Sequence, residues 1–520
     1  MHIFHQPLVR VVIAAVATLL LTIAAGISGP INQLVITDAR GDRGMLAPYV
    51  HGRNGIGYLY TTYVFDSLLS QSKDGELVPA LARRWTVSKD GLTCDLYLDL
   101  RASWHDGQQV TAADAAFTFS YMKEHPYIFV SVENVREAEV ISPDHLKIFL
   151  KKPDAGLLNG LLLSMPVLPK HVYQDVVEPQ RFAEPDAVIG SGPYRLVEYS
   201  KAQGRYVLEG NADYYLGKPK FKRIAIVKMS TDAALRAAHA GEIDVISYLP
   251  PDRLEQAEVI GMNVAKAFSH HSLRLGFNHN GRFNDKALRH AIAYAIDRPA
   301  IIETVFQKTA DVADTGFIQE ESPWHSQDKH PEYSFNPRRA TDLLFSKGWD
   351  RGEDGLWYRD GERVVLRLLA SRRESKTAKV LAEQLETFGI ELEVRILERA
   401  ALQDTLSEGN YDLALYASGT LGDPNGIMRR VFGRKWASDG YQGEHLQSLV
   451  IAQSVATNKT ERQKILGEFQ KAYSEELPAY AIANPHMVTA YNDKLSALQF
   501  MPGGVAIGVP SALHKSYLVD

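Results

Sequence analysis

Five histidines, His270, His271, His279, His325 and His330, gather in one stretch of the chain. A histidine group of that kind could hold a transition metal or a metallophore. Their spacings match no metal motif, and 17 histidines in 520 residues make such groupings ordinary, so solvated or core histidine is the plainer reading. No metal ligand and no cofactor are assigned. Nucleophile signatures are equally thin. Ser-x-x-Lys occurs at Ser70/Lys73, Ser120/Lys123 and Ser326/Lys329, each time without a companion Ser-Asp-Asn or Lys-Thr-Gly. There is no His-Glu-x-x-His, no Gly-x-Ser-x-Gly and no Walker loop, so a zincin, an α/β-hydrolase and an ATPase are unsupported and no catalytic residue is expected. The loop Gly52-Arg53-Asn54-Gly55-Ile56-Gly57 is the one segment suited to an anion, because its backbone N–H groups and the Arg53 guanidinium can face a carboxylate or phosphate. Its plain alternative is a surface turn.

Composition narrows the class. With 57 basic against 62 acidic residues the net charge is −5, which points to neither a nucleic-acid surface nor a polybasic membrane patch. Val11 to Ala25 is an uncharged apolar run of signal-peptide length behind Arg10, and Ala24-Ala25-Gly26 suits cleavage, so residues 1–28 are expected to be a cleaved leader. Cys94 is the only cysteine, so no intrachain disulfide forms and no lipid is accepted after the leader. A free periplasmic protein is the expectation.

The elements that would position any site alternate between strand and helix. Leu34 to Asp38 reads as a strand, Arg40 to Gly57 as a polar loop, and Tyr58 to Leu69 as a helix packed on a sheet. Trp85 to Val87 and Cys94 to Leu100 pair across Ser88-Lys89-Asp90-Gly91. Thr111 caps a helix over Ala112 to Glu124 with Asp114 as its reciprocal partner, and Val135 to Val140 pairs with His145 to Leu150. This block is expected to be a compact α+β insertion. Strands follow at Tyr194 to Tyr199, Tyr206 to Glu209 and Arg223 to Val227, a helix ends at Gly241, and further strands lie at Asp244 to Ser247 and Leu273 to Asn278. Beyond Asn284 helices and strands alternate: Asp285 to Ala295, Ala340 to Ser346, Val364 to Ala370, Ser375 to Phe388, Glu391 to Ile396, Tyr411 to Tyr416 and Lys459 to Glu475, as a βαβ-rich second lobe would. Ser438 to Gly443 reads as a polar loop. A strand-like tail from His486 is expected to return to the first lobe.

At Ser191-Gly192-Pro193-Tyr194 the chain resembles the bacterial extracellular solute-binding proteins of family 5, the oligopeptide, dipeptide and nickel binders of ABC importers. The likeness continues in order through Leu81 to Ser120, Asn211 to Tyr215 (NADYY), Gly241 to Asp244, Phe277 to Asn280, Asn284 to Arg298 and Phe335 to Leu344. It implies an α/β, two-lobed periplasmic-binding-protein fold of type II with an extra inserted domain. Lobe I would comprise 29–76, 188–279 and 486–520, the insertion 77–187, and lobe II 280–485. It further implies a monomer that captures a peptide-like or other small polar solute between its lobes and delivers it, unaltered, to a membrane permease and an ATPase. In the peptide binders resembled, a loop ahead of an acid plus proline carries an aspartate that pairs with the peptide α-amino group. Here Asp423-Pro424 is present, but Tyr416 to Gly422 (YASGTLG) has no acid, which disfavours a free-N-terminus peptide and leaves nickel or metallophore, oligosaccharide, opine and sugar-phosphate ligands open.

The candidate ligand contacts are Arg53, Asn54 and Tyr58 from the first lobe, Asn278 and Asn280 beside the hinge, and Trp324, Tyr416, Thr420 and Asp423 from the second. Asn and Tyr would hydrogen-bond polar groups, Trp324 would stack, and Arg53 would meet an anion. Two other classes stay open, a secreted hydrolase and a sensor or chaperone using the same cleft.

Overall fold

The computed structural model describes residues 33–495, 499–500 and 510–511, apart from 53–54, 73–74, 270, 329, 421, 428–430 and 433–440. Residues 1–32, and with them the expected leader, lie outside the described residues. The first strand, β1 (Gln33–Asp38), buries alternate and then successive side chains, as a strand covered on both faces does. The next helix runs only over Gly55–Thr61, shorter than the expected Tyr58 to Leu69 and shifted towards the N-terminus. Beyond it the chain hydrogen-bonds at long range. The Val64 carbonyl accepts from the Gly192 N–H (2.8 Å) and the Asp66 carbonyl from the Val167 N–H (2.9 Å), which a continuing helix would forbid.

After a short two-stranded hairpin (Leu69–Gln71 with Leu77–Pro79), four strands, β2 (Ala82–Val87), β3 (Thr93–Leu98), β4 (Val135–Ser142) and β5 (His145–Leu150), form a separate antiparallel sheet in the order β2-β3-β5-β4. The β2–β3 turn closes at Gly91 with φ +68°, a conformation that glycine adopts without strain. Between β3 and β4 lies the helix Ala112–Glu124. One Asp114 carboxylate oxygen accepts from the Thr111 N–H (2.9 Å) and hydroxyl (3.1 Å), the reciprocal cap expected from the sequence.

The larger sheet starts again at β6 (Tyr194–Ser200), β7 (Arg205–Gly210), β8 (Arg223–Val227), β9 (Val245–Ser247), β10 (Asn263–Phe268) and β11 (Ser272–Phe277). It continues through β12 (Ala310–Val312), β13 (Val365–Ser371), β14 (Glu391–Leu397), β15 (Leu413–Ser418) and β16 (Ala479–Tyr491). Its strand order is β14-β13-β15-β11-β16-β9-β1-β8-β7-β6, with β10 and β12 also on β16. The two parallel groups are β8-β1-β9 and β14-β13-β15.

Strand β16 joins the two groups. Its first half, Ala479 to Ala483, pairs antiparallel with β11, and its second half, His486 to Tyr491, pairs with β10. The strand begins earlier than the expected His486 because Ala479 to Ala483 is a continuous apolar run buried in the core shared with β11. Gly276 of β11 has no Cβ because one there would sit 2.6 Å from Cε1 of Tyr416 on β15. Large buried cores lie on each side of β16, one around Tyr63, Trp104 and Tyr194, the other around Trp349, Trp357 and Leu381. Among the described residues no helix is long and apolar enough to cross a membrane.

Candidate ligand site between the two halves

In open parallel sheets, ligands sit outside the carboxyl ends of the strands. On the first half that end carries Asp38, the last residue of β1, which is 2% exposed. Its carboxylate accepts from Arg40 Nε (2.8 Å) and Nη2 (3.0 Å), from Arg43 Nη2 (3.3 Å) and from the Tyr60 hydroxyl (3.1 Å). Burial raises the Asp38 carboxyl, but the hydrogen bonds and charges of Arg40 and Arg43 outweigh it and leave the group below its ordinary value. The Arg40 guanidinium also lies over the Tyr248 ring, 3.0 Å from its centroid. This cluster of one acid and two bases was not among the candidates drawn from the sequence. Its signal, Asp-x-Arg-x-x-Arg directly after the first strand, was present.

A cavity of about 1040 Å³ opens where the 77–187 block meets the second half. Asp154 to Leu158 wall one side, Glu321 to Trp324 and Gly422 another, and Ala456 to Lys459 with Arg462 a third. Arg462, 2% exposed on the helix Lys459–Glu476, organises the wall. Its Nη2 and Nη1 donate to the two oxygens of Asp423 (2.8 and 3.1 Å), and Nη1 also reaches the Ala155 carbonyl (3.1 Å). Its Nε donates to Gln453 Oε1 (3.0 Å), and its guanidinium carbon lies 4.4 Å from the Trp324 ring centroid. Asn425 extends the network, giving its Nδ2 to Asp154 Oδ1 (2.8 Å), and the Ala155 N–H donates to the Ser454 carbonyl (2.9 Å). Burial, and then the Asp423 charge, push the Asp154 carboxyl above its ordinary value against the pull of the Gly156 N–H.

The candidate contacts divide accordingly. Trp324 lines the cavity, and with Asp423 it meets at Arg462. Thr420 is buried in the loop behind β15, where its hydroxyl accepts from the Gly422 N–H (3.4 Å), and Tyr416 is largely buried on β15 itself. Asp423 does not stand free, since both oxygens are occupied by Arg462 and one also takes the Asn425 N–H (2.8 Å). The others lie apart from this wall. Tyr58 is a core residue that donates to the Ser164 carbonyl (3.0 Å), and burial pushes its hydroxyl up. Asn278 ties down a turn through the Gly409 (3.0 Å) and Tyr411 (2.8 Å) carbonyls, and its Oδ1 takes the N–H of exposed Asn280 (3.0 Å). Arg53 and Asn54 lie outside the described residues. Sequence reasoning missed Arg462, since a Lys- and Glu-rich helix reads as a solvated face and its partners are remote in the chain.

Among the described residues, no histidine lines the cavity. His330 Nε2 donates to Asp314 (2.9 Å), His279 pairs with the Pro478 carbonyl (2.9 Å), and among the described residues no group of three or more His, Cys, Asp or Glu is arranged to hold a metal. His270 lies outside the described residues.

Residues 76–439 match the family model of the bacterial extracellular solute-binding proteins, family 5 Middle. The chain belongs to this family. It is similar to the oligopeptide-binding protein AppA of Bacillus subtilis, 29% identical over 346 residues, which cover 62% of this chain and 61% of that protein. It is also similar to the di/tripeptide-binding protein 3 of Pseudomonas aeruginosa, 24% identical over 486 residues, 84% of this chain and 87% of that one. Among solved structures, NikA of Brucella suis, crystallised with Fe(III)-EDTA, superposes with a TM-score of 0.81 at 23% identity, covering 92% of this chain and 98% of that one. The fold of this family 5 protein is therefore the two-lobed type II periplasmic-binding-protein fold. The family consists of extracellular solute-binding proteins rather than enzymes, and its members take small ligands or peptides and work with the permease and ATPase subunits of ABC importers.

Proposed function

We propose that this protein captures a small polar or peptide-like solute between its lobes and hands it, unaltered, to the permease and ATPase of an ABC importer. The observation that carries the reading is the cavity of about 1040 Å³ walled jointly by the 77–187 block and the second half. Its volume is of the order of known ligand clefts, roughly 300–1,000 Å³. The proposed division is 29–76, 188–279 and 486–520 for lobe I, 77–187 for the insertion and 280–485 for lobe II, with β16 as one crossing between them. Closure onto the solute brings the two walls together and presents the permease with a changed surface. The protein acts as a periplasmic monomer after loss of a leader over residues 1–28, and has no turnover of its own. The 416–423 loop leaves no unoccupied carboxylate for an α-ammonium, since its one acid is held by Arg462. A solute anchored through that loop in the manner of a free peptide is disfavoured.

Native mass spectrometry of protein purified without denaturation from the cells that make it gives the mass of the bound solute. Small-angle scattering before and after its removal should show the loaded form to be more compact. Chemical conversion of the solute during incubation, or no compaction with any bound compound, overturns the reading.

A further inference from the structure

Between β12 and the helix Pro337–Ser346, the described residues from 313 to 336 hold neither helix nor strand, a length that loops in compact domains reach chiefly where they serve a function. The loop is laid along one uncharged stripe of the helix Lys459–Glu476. Gln463 Nε2 donates to the Pro323 carbonyl (3.3 Å), Gln470 takes the Ser326 N–H (3.0 Å) and donates to the Trp324 carbonyl (3.0 Å), and the Ser474 hydroxyl donates to the Pro331 carbonyl (2.6 Å). Gly467 lies on the same stripe, where a Cβ would sit 3.2 Å from Ser326 Oγ. The loop's tip, Glu321 to Trp324, lines the interlobe cavity.

One carboxylate closes the base of this loop. Both oxygens of Asp314 accept from His330 Nε2 (2.9 Å each), Oδ1 also takes the Gly316 N–H (2.6 Å), and His325 Nε2 stands 3.4 Å from Oδ2. The side chains of Asp314, His330 and His325 are 12, 6 and 10% exposed. The other His330 nitrogen, Nδ1, faces a second acceptor, the Asp328 carbonyl (3.2 Å). A neutral imidazole has a single N–H, so a ring with an acceptor at each nitrogen carries two protons and is a cation, with no lone pair to offer a metal. The Asp314 hydrogen bond raises the His330 ring above its ordinary value against burial, and the Asp328 carbonyl and the Glu332 charge add to it. Burial raises the Asp314 carboxyl, but the hydrogen bonds of His325 and His330 outweigh it and hold the group below its ordinary value. Asp328, Glu332 and Arg298, whose Nη1 donates to the Ala313 carbonyl (2.6 Å), are the further charges beside the pair, and the helix stripe presents none. If His330 loses a proton, one of its two acceptors loses its donor. A buried Asp314 deprived of its cation then has His325, the residue next to Trp324, as the donor within reach.

We propose that Asp314 and His330 are a proton-operated clasp on the loop that carries Trp324, fastened while the His330 ring holds both protons and loosened when it gives one up. The inference rests on the reading that solute is captured in this cavity, and it adds a control on one of the cavity's walls. Both are positioning residues, acting on the solute through Trp324. A histidine raised in the folded state stabilises in full below its ordinary 6.5, and that contribution is lost as pH rises through the raised value, so the clasp loosens on the alkaline side.

The test uses full-length protein stripped of solute and labelled with 5-fluorotryptophan, whose fluorine NMR spectrum carries one signal for each of the six tryptophans. Trp324→Phe identifies the signal of Trp324. Titrated from about pH 5 to about pH 10, that signal should move with a midpoint above the ordinary 6.5. The midpoint should fall by about one unit or more in Asp314→Asn, the movement should be absent in His330→Gln, and His325→Gln should keep a midpoint above 6.5. Circular dichroism at each pH shows whether every form stays folded. A wild-type Trp324 signal that stays still across the titration overturns the proposal without any variant. So does a midpoint at or below 6.5, or a movement that survives in folded His330→Gln. Solution scattering with the co-purified solute separates the two readings. Compaction on loading beside a motionless Trp324 signal removes the clasp and leaves capture standing, and no compaction at any pH removes capture whatever Trp324 does.

Discussion

Asp38 and Asp423 are both nearly buried acids beyond the carboxyl ends of parallel strands, and they are neutralised by different arithmetic. Asp38 serves two guanidinia, Arg40 and Arg43, within five residues of itself. Asp423 has one guanidinium, Arg462, which also serves Gln453, Asn425 and the Ala155 carbonyl across the junction with the 77–187 block. The first cluster is locally encoded and redundant, because either arginine can be lost and the acid still has a counter-charge. The second is encoded at long range and has no spare. Short-range redundancy keeps a sheet end in shape, whereas a single shared cation makes the junction between two halves depend on one side chain.

The largest effect should come from Arg462→Met. It strands a buried carboxylate and three further acceptors, Gln453 Oε1, Asn425 Oδ1 and the Ala155 carbonyl, so a loss of about 3–5 kcal/mol in denaturant unfolding is expected. A loss below about 1 kcal/mol would mean that the two clusters do not differ. Asp38→Asn comes next, at roughly 2 kcal/mol, because it leaves two guanidinia facing each other, one of them partly solvated. The wild-type Asp38 carboxyl is held below its ordinary 3.8 in the folded state, so its contribution is complete above that pH and disappears as pH falls through the lowered value. Urea melts from pH 5 to pH 2 should accordingly show a flatter acid limb in Asp38→Asn than in wild type. Arg40→Ala should cost no more than about 1 kcal/mol, since Arg43 remains. An equal loss for Arg40→Ala and Arg462→Met would break the comparison.

Glu321→Gln should be the smallest and of opposite sign. A carboxyl raised in the folded state costs stability wherever it is ionised, above the folded value, and costs nothing below its ordinary 4.5. In solute-free protein the substitution should therefore raise the melting temperature by about 1 °C at pH 7, and the gain should vanish near pH 4.

What was legible in the sequence was what short-range chemistry specifies. The Ser88 to Gly91 turn, the Thr111–Asp114 cap and the strands at Arg223–Val227 and Glu391–Leu397 fall where turn residues, capping partners and alternation put them. Among the helices the sequence reading did not draw are Arg298–Phe306, Arg399–Ser407 and Glu444–Val455. The first does carry a start signal, Asp297 capping the Ala300 N–H (3.0 Å) with Pro299 in the first turn, which the sequence reading passed over, whereas the other two have no capping side chain. The helix after the first loop was drawn too long because the hydrogen bonds that end it come from Gly192 and Val167, more than a hundred residues on. The site followed the same rule. Trp324, singled out as a candidate stacking residue, lines the cavity, while Arg462 acquires meaning only when remote segments meet.

Strand β16, late in the chain, occupies the middle of the large sheet, with β11 and β12 on one stretch of it and β9 and β10 on the other. The seam is thus completed by a segment made after nearly everything it stitches. A ribosome that stopped at residue 478 would leave two partial sheets with facing raw edges, the state most prone to intermolecular pairing. A damaged message for this protein should yield aggregates rather than a shortened but serviceable binder.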